Sequence, residues 1–265
     1  MDAIVSLPIS GVVITRNEAD RIARCVRSLL PCCGEVVVLD SGSDDDTVAV
    51  ARAAGARVEM QPWLGFSAQK NAVIARAREP WVLLLDADEW LVPPAHREIN
   101  ALFEPGEGGR PRIERADAWR FQRRTHFLGT PLRFAGRGRE PVERLFRHDL
   151  RYLDAEVHER LGLEGRRVAA VPVRIEHDTA RSLDEYADKL SHYASLWARQ
   201  NDAAGRRPRR ADATLHATAY WLKNYILRGG FLDGSTGWRY HACHARYVTQ
   251  KYTRLRELVR ARARP

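Results

Sequence analysis

Two aspartates, Asp86 and Asp88, close the apolar run Trp81-Val-Leu-Leu-Leu-Asp-Ala-Asp88. Side chains of a strand alternate, so carboxylates two residues apart point the same way at the strand's mouth. Converging carboxylate oxygens are hard ligands that suit Mg²⁺ or Mn²⁺, and such a cation commonly also takes substrate phosphates. The pair therefore predicts a site for a nucleoside diphosphate. Spacing alone does not settle this, because Asp44 and Asp46 repeat it and a polar strand end can equally cap the next helix. The order of elements upstream is what singles out Asp86 and Asp88.

Strand and helix signals alternate from residue 9 to about residue 103. Ile9–Thr15 reads as a buried strand, followed by a helix with Asn17 as N-cap, Glu18 and Asp20 in its first turn, and Ile22, Val26, Leu29 and Leu30 at helical spacing. Pro31 and Gly34 end it. Glu35–Asp40 is a second strand, Ser41-Gly42-Ser43 a turn, and Asp45, Asp46 and Thr47 open a helix that Gly55 stops. Arg57–Met60 is a third strand, residues 66–78 are helical, and Trp81–Asp86 is the fourth strand. Strands this apolar are covered on both faces, which with the alternation gives an α/β fold with a mostly parallel sheet flanked by helices. Ligands of such sheets bind beyond the carboxyl ends of the strands. Thr15-Arg-Asn-Glu18, Asp40-Ser-Gly-Ser43 and Asp86-Ala-Asp88 should therefore meet at one crevice. No G-x-G-x-x-G or G-x-x-x-x-G-K-[ST] lies near them, which argues against a dinucleotide fold and a P-loop NTPase.

The series VVITRNEADRIARCVRSL, VVVLDSGSDDDTVAVARAAGARV, GFSAQKNAVIARA and WVLLLDADE resembles the nucleotide-binding half of inverting family 2 glycosyltransferases with the GT-A fold. GFSAQKN, with the later VHE and GGFLDG, resembles lipopolysaccharide-core β-1,4-glucosyltransferases. The resemblance implies that Thr15, Asn17, Glu18 and Asp40 hold the nucleobase. For Asp40 a turn-forming role before Ser-Gly is the competing reading. It implies that Lys70 offsets diphosphate charge and that Asn71 bonds the ribose or a loop. Asp86 would lie near the ribose or a metal-bound water, and Asp88 would ligate Mg²⁺ or Mn²⁺, with Glu89 structural. Asp45 and Thr47 match the family's D-x-T element and read as helix capping.

Inversion needs one base to take the acceptor hydroxyl proton. In Tyr152-Leu-Asp-Ala-Glu-Val-His-Glu159 the resemblance favours Glu159, with Asp154 and Glu156 as weaker candidates and His158 as a metal ligand or phosphate-positioning group. Which does what is not decided by the sequence. Residues 1–103 would be the nucleotide-sugar half and 104–178 the acceptor-side half, with an Arg-Gly loop around Gly129, Gly136 and Gly138. Residues 179–265 would form a basic amphipathic helical extension. There Ser182-Leu-Asp-Glu185 has capping-box spacing, a helix runs over about 211–228, residues 231–237 form a loop, and a last helix carries Tyr247, Val248, Tyr252, Leu255, Leu258 and Val259.

The chain has 265 residues and a net charge of +9, which favours acidic partners. Only four of its 43 basic residues are lysines, a bias we read mainly as GC-rich codon usage. The cysteines 25, 32, 33 and 243 show no zinc spacing and fit reduced thiols. With no signal peptide and no spanning segment, the expected location is cytoplasmic, peripheral on the inner face of the cytoplasmic membrane. There the basic last helix would meet anionic lipid. The expected activity is metal-dependent transfer of a sugar, glucose from UDP-glucose by resemblance, to a glycolipid or saccharide acceptor such as lipopolysaccharide core. Sugar-phosphate nucleotidyl transfer is disfavoured because TRNEADR lacks glycines. A non-catalytic module for RNA or lipid is a further alternative, but no nucleic-acid motif supports RNA.

Overall fold

A computed structural model describes residues 7–106, 108–154 and 159–262. Four strands, β1 (Ile9–Thr15), β2 (Glu35–Asp40), β3 (Arg57–Met60) and β4 (Trp81–Asp86), lie parallel in the order β3-β2-β1-β4. Every residue of β1 is buried, Ser10 and Thr15 included, as a central strand must be when both faces of its sheet are covered. Helices α1 (Ile22–Leu29), α2 (Thr47–Ala53) and α3 (Phe66–Ile74) connect these strands. α1 buries Ile22, Cys25, Val26 and Leu29, one stripe at helical spacing. Gly11 lets α1 sit close on β1: a Cβ there would come within 3.1 Å of Cys33 Sγ and 3.3 Å of Leu29 Cβ.

Beyond β4 the pairing turns antiparallel. β5 (Glu89–Leu91), α4 (Pro93–Phe103), β6 (Ala118–Phe127), β7 (Thr130–Pro131), β8 (Glu140–Arg147) and β9 (Val168–Asp178) follow. The full order is β3-β2-β1-β4-β8-β6-β9-β5, with β7 on β6. β8 runs antiparallel to β4 and β6, and β5 to β9. The parallel expectation therefore holds for the first four strands, and the sheet as a whole is mixed.

Two local expectations are corrected. Asn17 is not the N-cap of α1, which starts at Ile22. Asn17 instead takes a positive φ of 56°, which Asn tolerates better than most residues. α3 stops at Ile74 rather than Arg78. The Arg76 guanidinium folds back onto the Ala72 carbonyl at 2.7 Å and onto Glu59 at 2.7 Å, an end that basic side chains favour.

The described chain divides into two compact units. One runs to Arg123 and includes Glu140–His177; the other comprises Arg124–Arg139 and the described residues from Asp178 on. In the second unit α5 (Leu183–Ala203) begins at Ser182, whose hydroxyl accepts from Glu185 N at 3.1 Å as the capping box predicts. α6 (Asp212–Trp221) runs into a π-helical turn, Leu222–Leu227. A 3₁₀ turn, Gly230–Asp233, then leads directly into α7 (Gly234–Arg262), so the loop expected over 231–237 is largely helical. Phe127 and Leu132 form this unit's core with Tyr186, Leu190 and Tyr240. Tyr252 and Leu255 of α7 are buried too, and Arg254 bonds Ser191 Oγ of α5 at 2.6 Å. Much of the apolar stripe of α7 is therefore core.

Candidate active site

The register of the parallel strands sets Thr15 level with Asp40, and Ile14 level with Asp86. Asp40 and Asp86 thus end two interstrand steps apart, about 10 Å, on the carboxyl edge where the sequence placed a crevice. All the site residues described below belong to the first unit.

The cluster at the ends of β1 and β2 is stitched from two loops. Asp40 is fully buried, and its carboxylate accepts from Gly42 N at 2.9 Å, Ser43 N at 2.8 Å and the Ser43 hydroxyl. It builds the turn that follows β2. Asn17 Oδ1 accepts from Asp44 N at 3.0 Å, and Asn17 N donates to Ser43 Oγ at 2.9 Å. Glu18 N donates to Thr47 Oγ1 at 2.8 Å, and Asp45 accepts from Thr47 N at 3.0 Å. Thr15 Oγ1, at the end of β1, is buried with no hydrogen-bond partner among the described residues.

Beside the end of β4 lies a charge network. Lys70, buried on α3, puts Nζ 3.5 Å from Asp86 Oδ1 and 3.4 Å from Glu159 Oε2. Arg144 donates to Asp86 Oδ2 at 2.8 Å and to Glu89 Oε1 at 2.6 Å. Arg123 reaches the same Glu89 oxygen at 3.3 Å and Glu140 at 2.9 Å. Glu89 is buried and also accepts from Asp86 N at 3.1 Å. Burial alone would raise the Asp86 carboxyl, but Arg144 and Lys70 outweigh it and hold Asp86 far below the usual carboxylate range. Burial would likewise strip Lys70 of its proton, and Asp86 keeps it charged. Asp86 is thus a fixed anion between two cations.

Asn71 uses both ends of its amide on one neighbour: Nδ2 donates to Tyr152 O at 2.9 Å, and Oδ1 accepts from Tyr152 N at 2.8 Å. Of the two partners weighed for it, a loop is what it holds here. The clamp holds Tyr152, and Lys70 Nζ lies 5.3 Å from the centre of the Tyr152 ring. Asp154 is exposed. His158 and Glu156 lie outside the described residues.

Asp88 meets residues that spacing did not single out. His177 Nε2 lies 3.3 Å from Asp88 Oδ2, and Arg21 Nη1 4.0 Å from it. β5 sets Glu89 opposite His177 on β9, which brings the histidine to the aspartate. Two cis ligands of a cation with bonds near 2.1 Å stand about 3 Å apart, so this pair has the spacing and the donor chemistry of a shared divalent ion. His177 Nδ1 is buried with no hydrogen-bond partner among the described residues. No group of three or more His, Cys, Asp or Glu set for a metal occurs among the described residues. The protein would thus supply few of the ligands and leave the rest to phosphate and water, as Mg²⁺ sites often do. Arg144, Arg123 and His177 escaped the sequence reading because each is a lone residue on a strand whose partner lies far along the chain.

Residues 10–150 match the family described as glycosyl transferase family 2. The lipopolysaccharide core biosynthesis glycosyltransferase LpsC of Rhizobium meliloti (strain 1021) is 29% identical, over 94% of this chain and 94% of its own. An uncharacterized glycosyltransferase of Rickettsia conorii is 42% identical over 39% of this chain and 36% of its own. Among solved structures, glucosyl-3-phosphoglycerate synthase from Mycobacterium tuberculosis, in complex with Mn²⁺, UDP and glucosyl-3-phosphoglycerate, is 29% identical over 44% of each chain, with a TM-score of 0.35.

Proposed function

Because the chain belongs to glycosyltransferase family 2 and is a glycosyltransferase of the GT-A fold, we propose that it transfers a hexose with inversion from a nucleoside-diphosphate sugar to a lipid-linked or saccharide acceptor. UDP-glucose is the proposed donor and lipopolysaccharide core the proposed acceptor. The observation that carries this reading is the meeting of Thr15, Asp40 and Asp86 at one sheet edge, with Lys70, Glu159 and His177 linked to the Asp86–Asp88 stretch.

The base-side loops, Thr15–Glu18 and Asp40–Ser43, form the nucleoside cradle; Asp40 shapes the turn and Thr15 Oγ1 is free to bond a ligand. Asp88 and His177 would hold Mg²⁺ or Mn²⁺. When bound, that cation stabilises the charge growing on the departing diphosphate without moving protons. Lys70, buried and charged, adds a fixed positive charge on the same side. The acceptor oxygen attacks the anomeric carbon as the bond from that carbon to the diphosphate oxygen breaks. The electron pair leaves with the nucleoside diphosphate, and the acceptor proton passes to Glu159. Lys70 positions that carboxylate at 3.4 Å, and Asp154 remains the weaker candidate base.

The test is UDP release from UDP-glucose by purified protein with Mn²⁺, repeated after chelation. Asp88→Asn and His177→Ala should each lower activity about a hundredfold or more and weaken Mn²⁺-dependent UDP binding. Glu159→Gln should abolish transfer yet keep UDP binding. Undiminished turnover in chelator would remove the metal from the mechanism, and full activity of Glu159→Gln would remove the base.

A further inference from the structure

The second unit exposes large apolar side chains where a water-facing surface would carry few. Leu222 is 51% exposed, Leu227 74%, Leu232 56% and Trp238 53%, with Ile226 and Phe231 also exposed. They sit on one continuous stretch: the π-helical turn, the 3₁₀ turn and the start of α7. Aromatic contacts join the three pieces. The Tyr225 ring lies 6.3 Å from Phe231 and 5.7 Å from Trp238, and Trp221 lies 4.9 Å from Trp238. The patch is therefore a single surface, and contiguous apolar area of this kind marks an interaction site.

Charge decides the occupant. Over the patch itself, from Trp221 to Arg239, the sequence holds three basic residues, Lys223, Arg228 and Arg239, and one acid, Asp233. That acid is already engaged: its carboxylate accepts from Arg133 N at 2.9 Å and Phe134 N at 3.1 Å. Lys223 and Arg239 are exposed on the same stretch as the leucines. A second copy meeting this face about a two-fold axis would set cations against cations. An anionic partner meets both needs, provided that it also offers a hydrocarbon layer to the leucines.

We propose that this surface docks on an anionic phospholipid bilayer. Leu222, Leu227, Leu232 and Trp238 enter the boundary between headgroups and acyl chains, and Lys223 and Arg239 lie over the phosphates. Aromatic rings favour that boundary, and each nearby cation strengthens anionic-lipid binding about fivefold. Among the described residues no helix is long and apolar enough to cross a membrane, so the contact is one of lying on the surface. The docking element is this helical corner; the buried stripe of the last helix, expected to play the part, is occupied by its own unit's core. The inference supplies the surface that the proposed lipid-linked acceptor calls for, but uses none of the residues of the aspartate site.

The experiment is co-sedimentation of the full chain with vesicles of phosphatidylglycerol and phosphatidylcholine, against vesicles of phosphatidylcholine alone. The wild type should bind only the anionic vesicles. Leu227→Ser with Leu232→Ser should cut the partition coefficient at least about tenfold, and Lys223→Gln with Arg239→Gln about twentyfold. Both variants should keep the wild-type melting temperature and its UDP release without lipid. The proposal is overturned if the wild type ignores anionic vesicles or the leucine variant binds them undiminished. It is also overturned if the wild type is a dimer that the leucine variant dissolves and vesicles are not bound. UDP release without lipid binding would remove the docking surface alone; lipid binding without donor turnover would remove the proposed reaction alone.

Discussion

Lys70 stands between two carboxylates, 3.5 Å from Asp86 and 3.4 Å from Glu159, and with Arg144 its charge holds Asp86 ionised. Lys70→Met should lower transfer about a hundredfold and also destabilise the fold, since the partly buried Asp86 would lose one of the cations that hold it charged. Transfer kinetics and a melting curve measure the two effects separately. Asn71→Ala removes both hydrogen bonds to the Tyr152 backbone. It should cost about 2 kcal/mol in urea unfolding, and transfer should fall more than nucleotide binding because Tyr152, against whose ring Lys70 lies, loses its anchor. A variant with normal transfer would show that the clamp on Tyr152 is not needed for the reaction. At this scale the sequence offered residue types but not employment. Asn71 was readable as a partner for ribose or loop, and its bonds go to Tyr152, far along the chain; Asp40 was readable as base contact or turn, and its bonds go to the turn just after it.

The elements were more legible. The first four strands fall where apolar runs and turn residues put them, because a strand covered on both faces has almost no freedom in its composition. Ser182 caps α5 as its spacing predicts. The junction before α7 was not foreseen. A Cβ on Gly237 would run into the Gly230 carbonyl, and one on Gly230 into the His241 ring and the Asn224 carbonyl, 2.8 Å away. These glycines allow the 3₁₀ turn to nest against α7, which makes a helical corner out of what reads as a loop. Gly237→Ala should therefore destabilise the second unit by about 3 kcal/mol, measurable as a lowered denaturation midpoint. An unchanged midpoint would mean that the corner can relax at little cost.

On the scale of the whole molecule, the second unit should be sensitive to acid. Burial, with Arg137 adding to it, pushes His244 down to about 3 and His241 to about 4. Unfolding restores both to their ordinary value of 6.5, so the unfolded chain binds more protons between those values. Stability is therefore full above about pH 6.5 and declines as pH falls below it. A melting temperature unchanged between about pH 7 and about pH 5 would contradict this. Residues 124–139 belong with the C-terminal helices, Phe127 packing on Tyr186 at 5.1 Å and on Tyr240 at 5.3 Å. Truncation after His177 should consequently expose Phe127 and Leu132 and yield aggregated protein, whereas a freely soluble product would show that the hairpin tolerates losing its core.

The alternation of apolar runs with helical stripes, and the acids closing those runs, fixed the parallel half-sheet and the edge where its polar strand ends gather. Local periodicity records burial, and burial on both faces dictates the layers. Which groups act together was decided only by tertiary structure. Arg144 comes to Asp86 through the antiparallel pairing of β8 with β4, and His177 to Asp88 through that of β9 with β5. Strand pairing between distant segments sets such contacts, and no spacing along the chain encodes it.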